Sequence, residues 1–340
     1  MYKVREFLRE SLYRAFSFPG LPASRREGTA VLMYHEIGGD NVELEAWTVV
    51  RQAEFARQME YLKRNFQVIS LEEAVWNFEN NKMPARPAAV VTFDDGYAGN
   101  YEFALPVMES LSIPITVFVA TEAVQQQSLY WYDRLILALH DEKGAQTIMD
   151  RLSLRNCGVN NYTGKRKWGE IEKLLNVFKG TGPDERKDIL NRLLAETDAE
   201  QKQKSRKIAP LSMQSLKELS RSPLVTIGAH THYHDILPQL AGRDVRETVR
   251  KSKELLERWT GREIRFFAYP NGDYNESVIK ILREEGFKCG LTTAHRRWSP
   301  ADSLFEIPRI GIGRYDSLSC FRFKLGKGLP AKGRAGSGRN

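Results

Sequence analysis

The sequence predicts an α/β fold organised around a parallel sheet or barrel. Short apolar runs of strand character alternate with amphipathic helical runs along most of the chain, the pattern that packs helices against parallel strands. Clusters of Asp and His stand where those strand runs end, and chemistry in such folds gathers at the carboxyl ends of strands. The alternation lapses once, from about Trp131 to Lys207, where charge-rich helical segments follow one another without a strand.

The elements follow in order. TAVLMYHEIG (Thr29–Gly38) reads as a buried strand leaving through a His and a Gly. Arg51–Asn65 has helical period, with Phe55, Met59 and Leu62 on one face. FQVIS is a short strand, and LEEAVWNFEN is a helix with Ser70 as N-cap and Glu73 three residues on, a capping box. AAVVTF is the next strand. NYEFALPVMESL is helical, with a kink or boundary at Pro106. IPITVFVA is another buried strand. Within the lapse, WYDRLILALHDE, WGEIEKLLNVFKG and DERKDILNRLLAE predict a helical insertion over about 128–208. Alternation then returns: a helix N-capped by Ser212, the strand LVTIGAH, a long helix closed by Gly261, the strand and turn IRFFAYPNG, a helix closed by a second glycine, and the short strands KCGLTT and EIPRIGIG.

Charge separates the ends from the body. The chain of 340 residues carries 51 Lys+Arg against 43 Asp+Glu, a net charge of +8. Residues 1–27 hold six basic and three acidic side chains, and residues 321–340 hold six basic and none acidic, so the body is close to neutral. A nucleic-acid groove would need its basic charge on the folded face, so no nucleic-acid partner is expected. Val4, Leu8, Leu12 and Phe16 recur every four residues and predict an amphipathic N-terminal segment over 1–27, packed on the body or resting on a membrane surface. That segment is too charged for a secretory signal, and no apolar run reaches the roughly 18 residues of a spanning helix. The expected location is cytoplasmic, at most peripheral to the inner membrane face. Residues 323–340, rich in Gly, Lys and Arg, predict a disordered basic tail. Cys157, Cys289 and Cys320 are distant and odd in number, which argues against a disulfide framework.

Two motifs carry the chemistry. VVTFDDGYAGN ends a strand in adjacent carboxylates, Asp94 and Asp95. GAHTHYHDIL holds three of the six His (His35, His140, His230, His232, His234, His295) within five residues. His230 and His234 are four apart, so on one helical turn both rings reach one point, with His232 facing elsewhere. A catalytic zinc site takes three protein ligands and leaves a position for water. Two His therefore need one carboxylate. Neighbours leaving a strand point in different directions, so one of Asp94 and Asp95 can bind the ion while the other acts as general base. The spacing alone does not say which.

TFDDG (Thr92–Gly96) followed by HTHYH (His230–His234, of the form H-[ST]-x-x-H) resembles the first two motifs of the polysaccharide deacetylases, the NodB-homology or carbohydrate esterase family 4. The resemblance covers roughly 29–125 and 210–315 within a domain of 28–322. It implies a distorted (β/α)7 barrel with a divalent metal, most often Zn2+, held by Asp95, His230 and His234. It makes Asp94 the base on the attacking water and places an oxyanion donor at the backbone N–H near Tyr97. The substrate it implies is an N-acetylated amino sugar in a polysaccharide, glycolipid or lipid-linked saccharide.

The chain departs from the family twice. The third motif, usually like F-R-P-P-Y-G, reads FAYPNG here, so Ala268 stands where an Arg would steady the base. Arg309 in IPRIGI is the candidate replacement. The late L-x-H motif that supplies a catalytic His is missing. LMYHEIG resembles the first strand of the poly-N-acetylglucosamine deacetylase branch, which makes His35 the candidate general acid. Tyr269, Pro270 and Asn271 are candidate cleft residues, and Trp131, Tyr132 and Trp298 candidate sugar-stacking rings. The rival readings are hydrolysis of another linear amide or an O-acetyl ester by the same site, and saccharide binding without catalysis.

Overall fold

A computed structural model of the chain describes residues 28–42, 44–82, 84–152, 164–195 and 208–326. The N-terminal segment 1–27 and tail positions 327–340 lie outside the described residues. Strands β1 (Ala30–Tyr34), β2 (Glu36–Gly38) and β3 (Val49–Arg51) lead into helix α1 (Gln52–Asn65). Then come β4 (Gln67–Val68), α2 (Leu71–Glu79), β5 (Ala88–Phe93), α3 (Leu105–Leu111), β6 (Ile115–Val119) and α4 (Thr121–Gln126). The insertion contributes α5 (Trp131–Leu139), α6 (Glu142–Arg151), α7 (Gly164–Lys179) and α8 (Pro183–Leu194). The body resumes with α9 (Met213–Arg221), β7 (Val225–Ala229), α10 (Gly242–Thr260), β8 (Phe266–Ala268), α11 (Glu276–Glu284), β9 (Cys289–Leu291), β10 (Ile310–Gly311) and α12 (Leu318–Gly326).

The main sheet runs in the order β10-β1-β5-β6-β7-β8-β9, with β4 added beside the start of β5, and every pairing is parallel. A single parallel bridge from Leu291 to Ile307 links β9 to the segment that feeds β10. The sheet therefore curls into the distorted seven-strand barrel. Alternation along each strand divides the core in two. Leu32, Val91 and Val117 face outward against helix residues such as Phe55, Met59, Leu216 and Val249. Val31, Val90, Phe118 and Phe266 face inward with Trp298, Leu71 and Val75.

Most predicted boundaries hold. Phe55, Met59 and Leu62 are the buried face of α1. Ser70 and Ser212 accept the predicted capping hydrogen bonds, and Gly261 closes α10 in the left-handed conformation. Before Pro106 the chain forms a π-helical turn over Asn100–Ala104, and α3 begins there because Pro is at home in a first turn. Three expectations are corrected. The exit loop after β1 is itself a strand, since β2 pairs with β3 in a small second sheet. Residues 323–326, expected to belong to the tail, are helical instead: α12 runs to Gly326, buries Leu325 and ties Lys324 to Asp316 at 2.6 Å. Trp298 is a core ring, stacked on Phe78 at 5.0 Å and buried, and offers no face to a sugar. Cys289 and Cys320 are buried and are not joined to each other.

The insertion builds a core of its own. Leu135, Leu139, Ile148, Ile171, Leu174 and Leu190 pack together, and the same cluster takes in Tyr97 and Tyr130. This second core stands beside the carboxyl end of β5, where the DDG turn emerges.

Candidate active site

Strand alternation fixes the first carboxylate. Val90 and Thr92 of β5 face the barrel interior, and Asp94 continues that inward series. Its N–H donates to Tyr34 O at 2.9 Å, one last rung of the β1–β5 ladder. At Asp95 the backbone turns left-handed, with φ of 75° there and at Gly96. The two side chains consequently diverge. A side chain at Gly96 would also meet Val119 at 3.0 Å, so the turn requires glycine for both conformation and space.

Asp94 is gripped by Arg309, whose Nη1 and Nη2 donate to Oδ1 and Oδ2 at 2.6 and 2.7 Å. Arg309 Nε also donates to Thr292 O at 2.9 Å, and Nη1 reaches Thr92 Oγ1 at 3.3 Å. The Arg is fully buried at 0 % exposure, and Asp94 is 3 % exposed. Burial pushes the Asp94 carboxyl up, but the charge and hydrogen bonds of Arg309, with His230 and His35 nearby, leave it below its usual value.

Asp95, His230 and His234 offer one ligand atom each, all within 4.8 Å of one another. Asp95 Oδ1 lies 3.4 Å from His230 Nε2 and 3.1 Å from His234 Nε2. This buried oxygen has no hydrogen-bond partner. His230 Nδ1 is 2.7 Å from Ala268 O, which fixes the ring with Nε2 toward the cluster. Two imidazoles and a carboxylate with an orphaned buried oxygen fit a divalent cation.

The His motif converges by another route than helical spacing. It forms a loop in which Thr231 and His234 take φ of 64° and 58°. Thr231 Oγ1 accepts from Asp235 N at 3.2 Å, and Thr248 Oγ1 of α10 accepts from His232 N at 3.1 Å. The rings of His230 and His234 meet at 4.8 Å between centroids. His232 faces away as expected, with Nδ1 2.7 Å from Thr121 Oγ1.

His35 stands half-buried at the end of β1, its ring edge-on to Trp47 at 5.6 Å. Its Nδ1 has no hydrogen-bond partner. Burial lowers its pKa, against the opposing pull of Asp95 and Asp94. The charges of Arg309 and His230 act on it in the same direction as burial.

The remaining candidates divide. The Tyr97 ring is 0 % exposed and its hydroxyl donates to Asp133 Oδ2 at 2.8 Å, so only its backbone amide stays in the DDG turn. Tyr269 does not line a cleft: it is buried, donates to Phe305 O at 2.9 Å and stacks on Tyr274. Pro270 is also buried, and half-buried Asn271 donates to Asp273 in a turn with φ of 56° at Asn271. The Trp131 ring carries the Arg186 guanidinium at 5.0 Å. Tyr132 points at the ligand cluster instead of offering a stacking platform, its hydroxyl donating to Asp95 Oδ2 at 2.8 Å. Tyr130, which sequence reasoning missed, donates to the Asp95 carbonyl. No pattern in the sequence marks either contact, because both join elements about 35 residues apart through a non-local fold.

A curled parallel sheet with a carboxylate and two imidazoles converging at its strand ends, beside a second carboxylate held by Arg, defines a metal-assisted hydrolase architecture. Residues 81–290 match the family profile described as polysaccharide deacetylase. The poly-beta-1,6-N-acetyl-D-glucosamine N-deacetylase of Staphylococcus aureus is 19 % identical over 272 residues, which are 77 % of this chain and 67 % of that one. The deacetylase PplD of Streptococcus pyogenes, solved in complex with acetate, superposes with a TM-score of 0.59 at 19 % identity over 88 % of this chain and 98 % of that one. The structure of IcaB from Ammonifex degensii gives a TM-score of 0.57 at 19 % identity over 89 % and 98 %. The chain belongs to the polysaccharide deacetylase family, metal-dependent hydrolases of the N-acetyl amide bond on saccharides.

Proposed function

We propose that this chain removes acetyl groups from a polymer of N-acetylglucosamine, with Zn2+ held by Asp95, His230 and His234. The observation that carries it is the convergence of those three ligand atoms beside Asp94, whose two oxygens Arg309 holds. The similarity to the poly-beta-1,6-N-acetyl-D-glucosamine N-deacetylase of Staphylococcus aureus supports that substrate. A borderline-soft donor set of two imidazoles and one carboxylate suits Zn2+. When bound, the cation supplies Lewis acidity toward the attacking water and the amide carbonyl.

The residues divide the proton work. Asp94 takes a proton from the water as its oxygen adds to the acetyl carbon. Arg309 keeps Asp94 ionised and aimed. The backbone N–H at Tyr97 faces the developing oxyanion. As the C–N bond breaks, the protonated form of His35, made a stronger acid by burial, gives a proton to the leaving amine. The products are acetate and a free amino sugar.

Acetate release from oligomers of β-1,6-linked N-acetylglucosamine, with and without chelator, tests this. Activity lost on chelation and restored by Zn2+, and abolished in Asp94→Asn, is the expected result. Turnover that ignores chelator, or favours an O-acetyl ester over the amide, would refute it.

A further inference from the structure

The helical insertion reaches the ligand cluster through two hydroxyls. Tyr130 is the extended residue that caps α5, and Tyr132 lies in its first turn. Their rings stack at 5.2 Å with planes 2° apart. Both rings also pack on His234, at 5.4 and 5.2 Å. The Tyr130 hydroxyl donates to the Asp95 carbonyl, within the left-handed turn. The Tyr132 hydroxyl donates to Asp95 Oδ2 at 2.8 Å. The two oxygens of Asp95 are thus in different states: Oδ2 accepts from the phenol, and Oδ1 lies unpartnered between two Nε2 atoms.

We infer that Tyr132 is a positioning residue for the metal ligand. By occupying Oδ2 it leaves Oδ1 as the one carboxylate oxygen free for the cation, and it fixes the plane of the Asp95 carboxylate. A carboxylate without such a partner can rotate or offer both oxygens. Hydrogen bonds to ligating groups of this kind change metal affinity by about 10- to 100-fold. The inference rests on the metal-site reading above, and it assigns to the insertion a part in holding the ion.

Tyr132→Phe tests it, since the change removes one oxygen and keeps the stacked ring. Zn2+ affinity is measured by competition with a chromophoric chelator, and Co2+ is added as a spectroscopic probe whose visible band responds to coordination number. The expected result is a Zn2+ affinity at least about tenfold below wild type, with an altered Co2+ band and an unchanged melting temperature of the metal-free protein. Tyr130→Phe, which leaves Oδ2 bonded, keeps the wild-type Co2+ band. The inference is overturned by a Tyr132→Phe affinity within tenfold of wild type, or by a weakened affinity with an unaltered Co2+ band. Wild-type protein that binds neither ion overturns this inference together with the metal-site reading. Wild type that binds them with Tyr132→Phe indistinguishable overturns this inference alone.

Discussion

Arg309 meets Asp94 through both nitrogens and both oxygens, at 2.6 and 2.7 Å, from the residue just before β10. The position where a third-motif Arg was expected holds Ala268, 0 % exposed in the barrel interior. A guanidinium reaches the carboxylate from a different segment of the chain. Each oxygen of Asp94 has its own N–H donor, so the carboxylate has little freedom to turn.

Replacing Arg309 with Met should destabilise the fold by about 3–5 kcal/mol, because an unpaired buried charge remains. Urea unfolding measures this. Arg309→Lys keeps the charge but loses the fork, so a smaller loss of stability is expected, with kcat still well below wild type. A Lys variant with wild-type kcat would show that bidentate geometry is unimportant.

His35→Ala should lower kcat by about 10²- to 10⁴-fold, the usual contribution of a positioned acid, with Zn2+ affinity near wild type. Steady-state kinetics paired with a metal titration separates the two. A near-normal kcat removes His35 from the chemistry.

Metal removal should cost stability as well as activity. Asp95 and His230 are buried at 2 % and 1 % exposure, so the ion binds the folded chain in preference to the unfolded one. Free Zn2+ at a thousand times its dissociation constant adds about 4 kcal/mol. Calorimetry with graded Zn2+ should show the melting temperature rising in wild type and staying flat in Asp95→Asn.

Glu36 provides a pH test away from the ligands. Burial, aided by the negative charges of Asp133 and Glu102, pushes its carboxyl well above the usual value, against a backbone N–H from Gly99. Its Oε2 has no partner. The folded chain therefore holds this proton more tightly than the unfolded chain does. The stability tied to it is complete below the unfolded value, about 4.3, and declines as pH rises toward the raised folded value. Unfolding free energies between about pH 5 and 8 should fall less steeply in Glu36→Gln than in wild type. Parallel curves would contradict the assignment.

Local chemistry made much of this readable in advance. Predominantly apolar runs marked β1, β5 and β6, capping serines marked α2 and α9, and adjacent carboxylates at a strand end marked the site. Outside the motifs, what depended on non-local packing was hidden. Tyr269 was expected in the cleft and Trp298 as a sugar platform, but the core claims both rings. His230 and His234 converge through left-handed turns and a bond to Thr248, which no periodicity encodes. The partner of Tyr132 could not be read from a helical segment whose neighbours in space lie far away in sequence.

Asp95 is bound to the insertion at two points, its carbonyl by Tyr130 and its carboxylate by Tyr132, while Tyr97 of the DDG turn sits inside the insertion's own core. The insertion is therefore not an interchangeable cassette. A chimera that grafts in a foreign segment to redirect specificity would need to bring hydroxyls to the same two oxygens. Otherwise it would trade a new preference for a loosened Asp95, and the exchange would be judged a failure of the graft when the fault lay in that carboxylate.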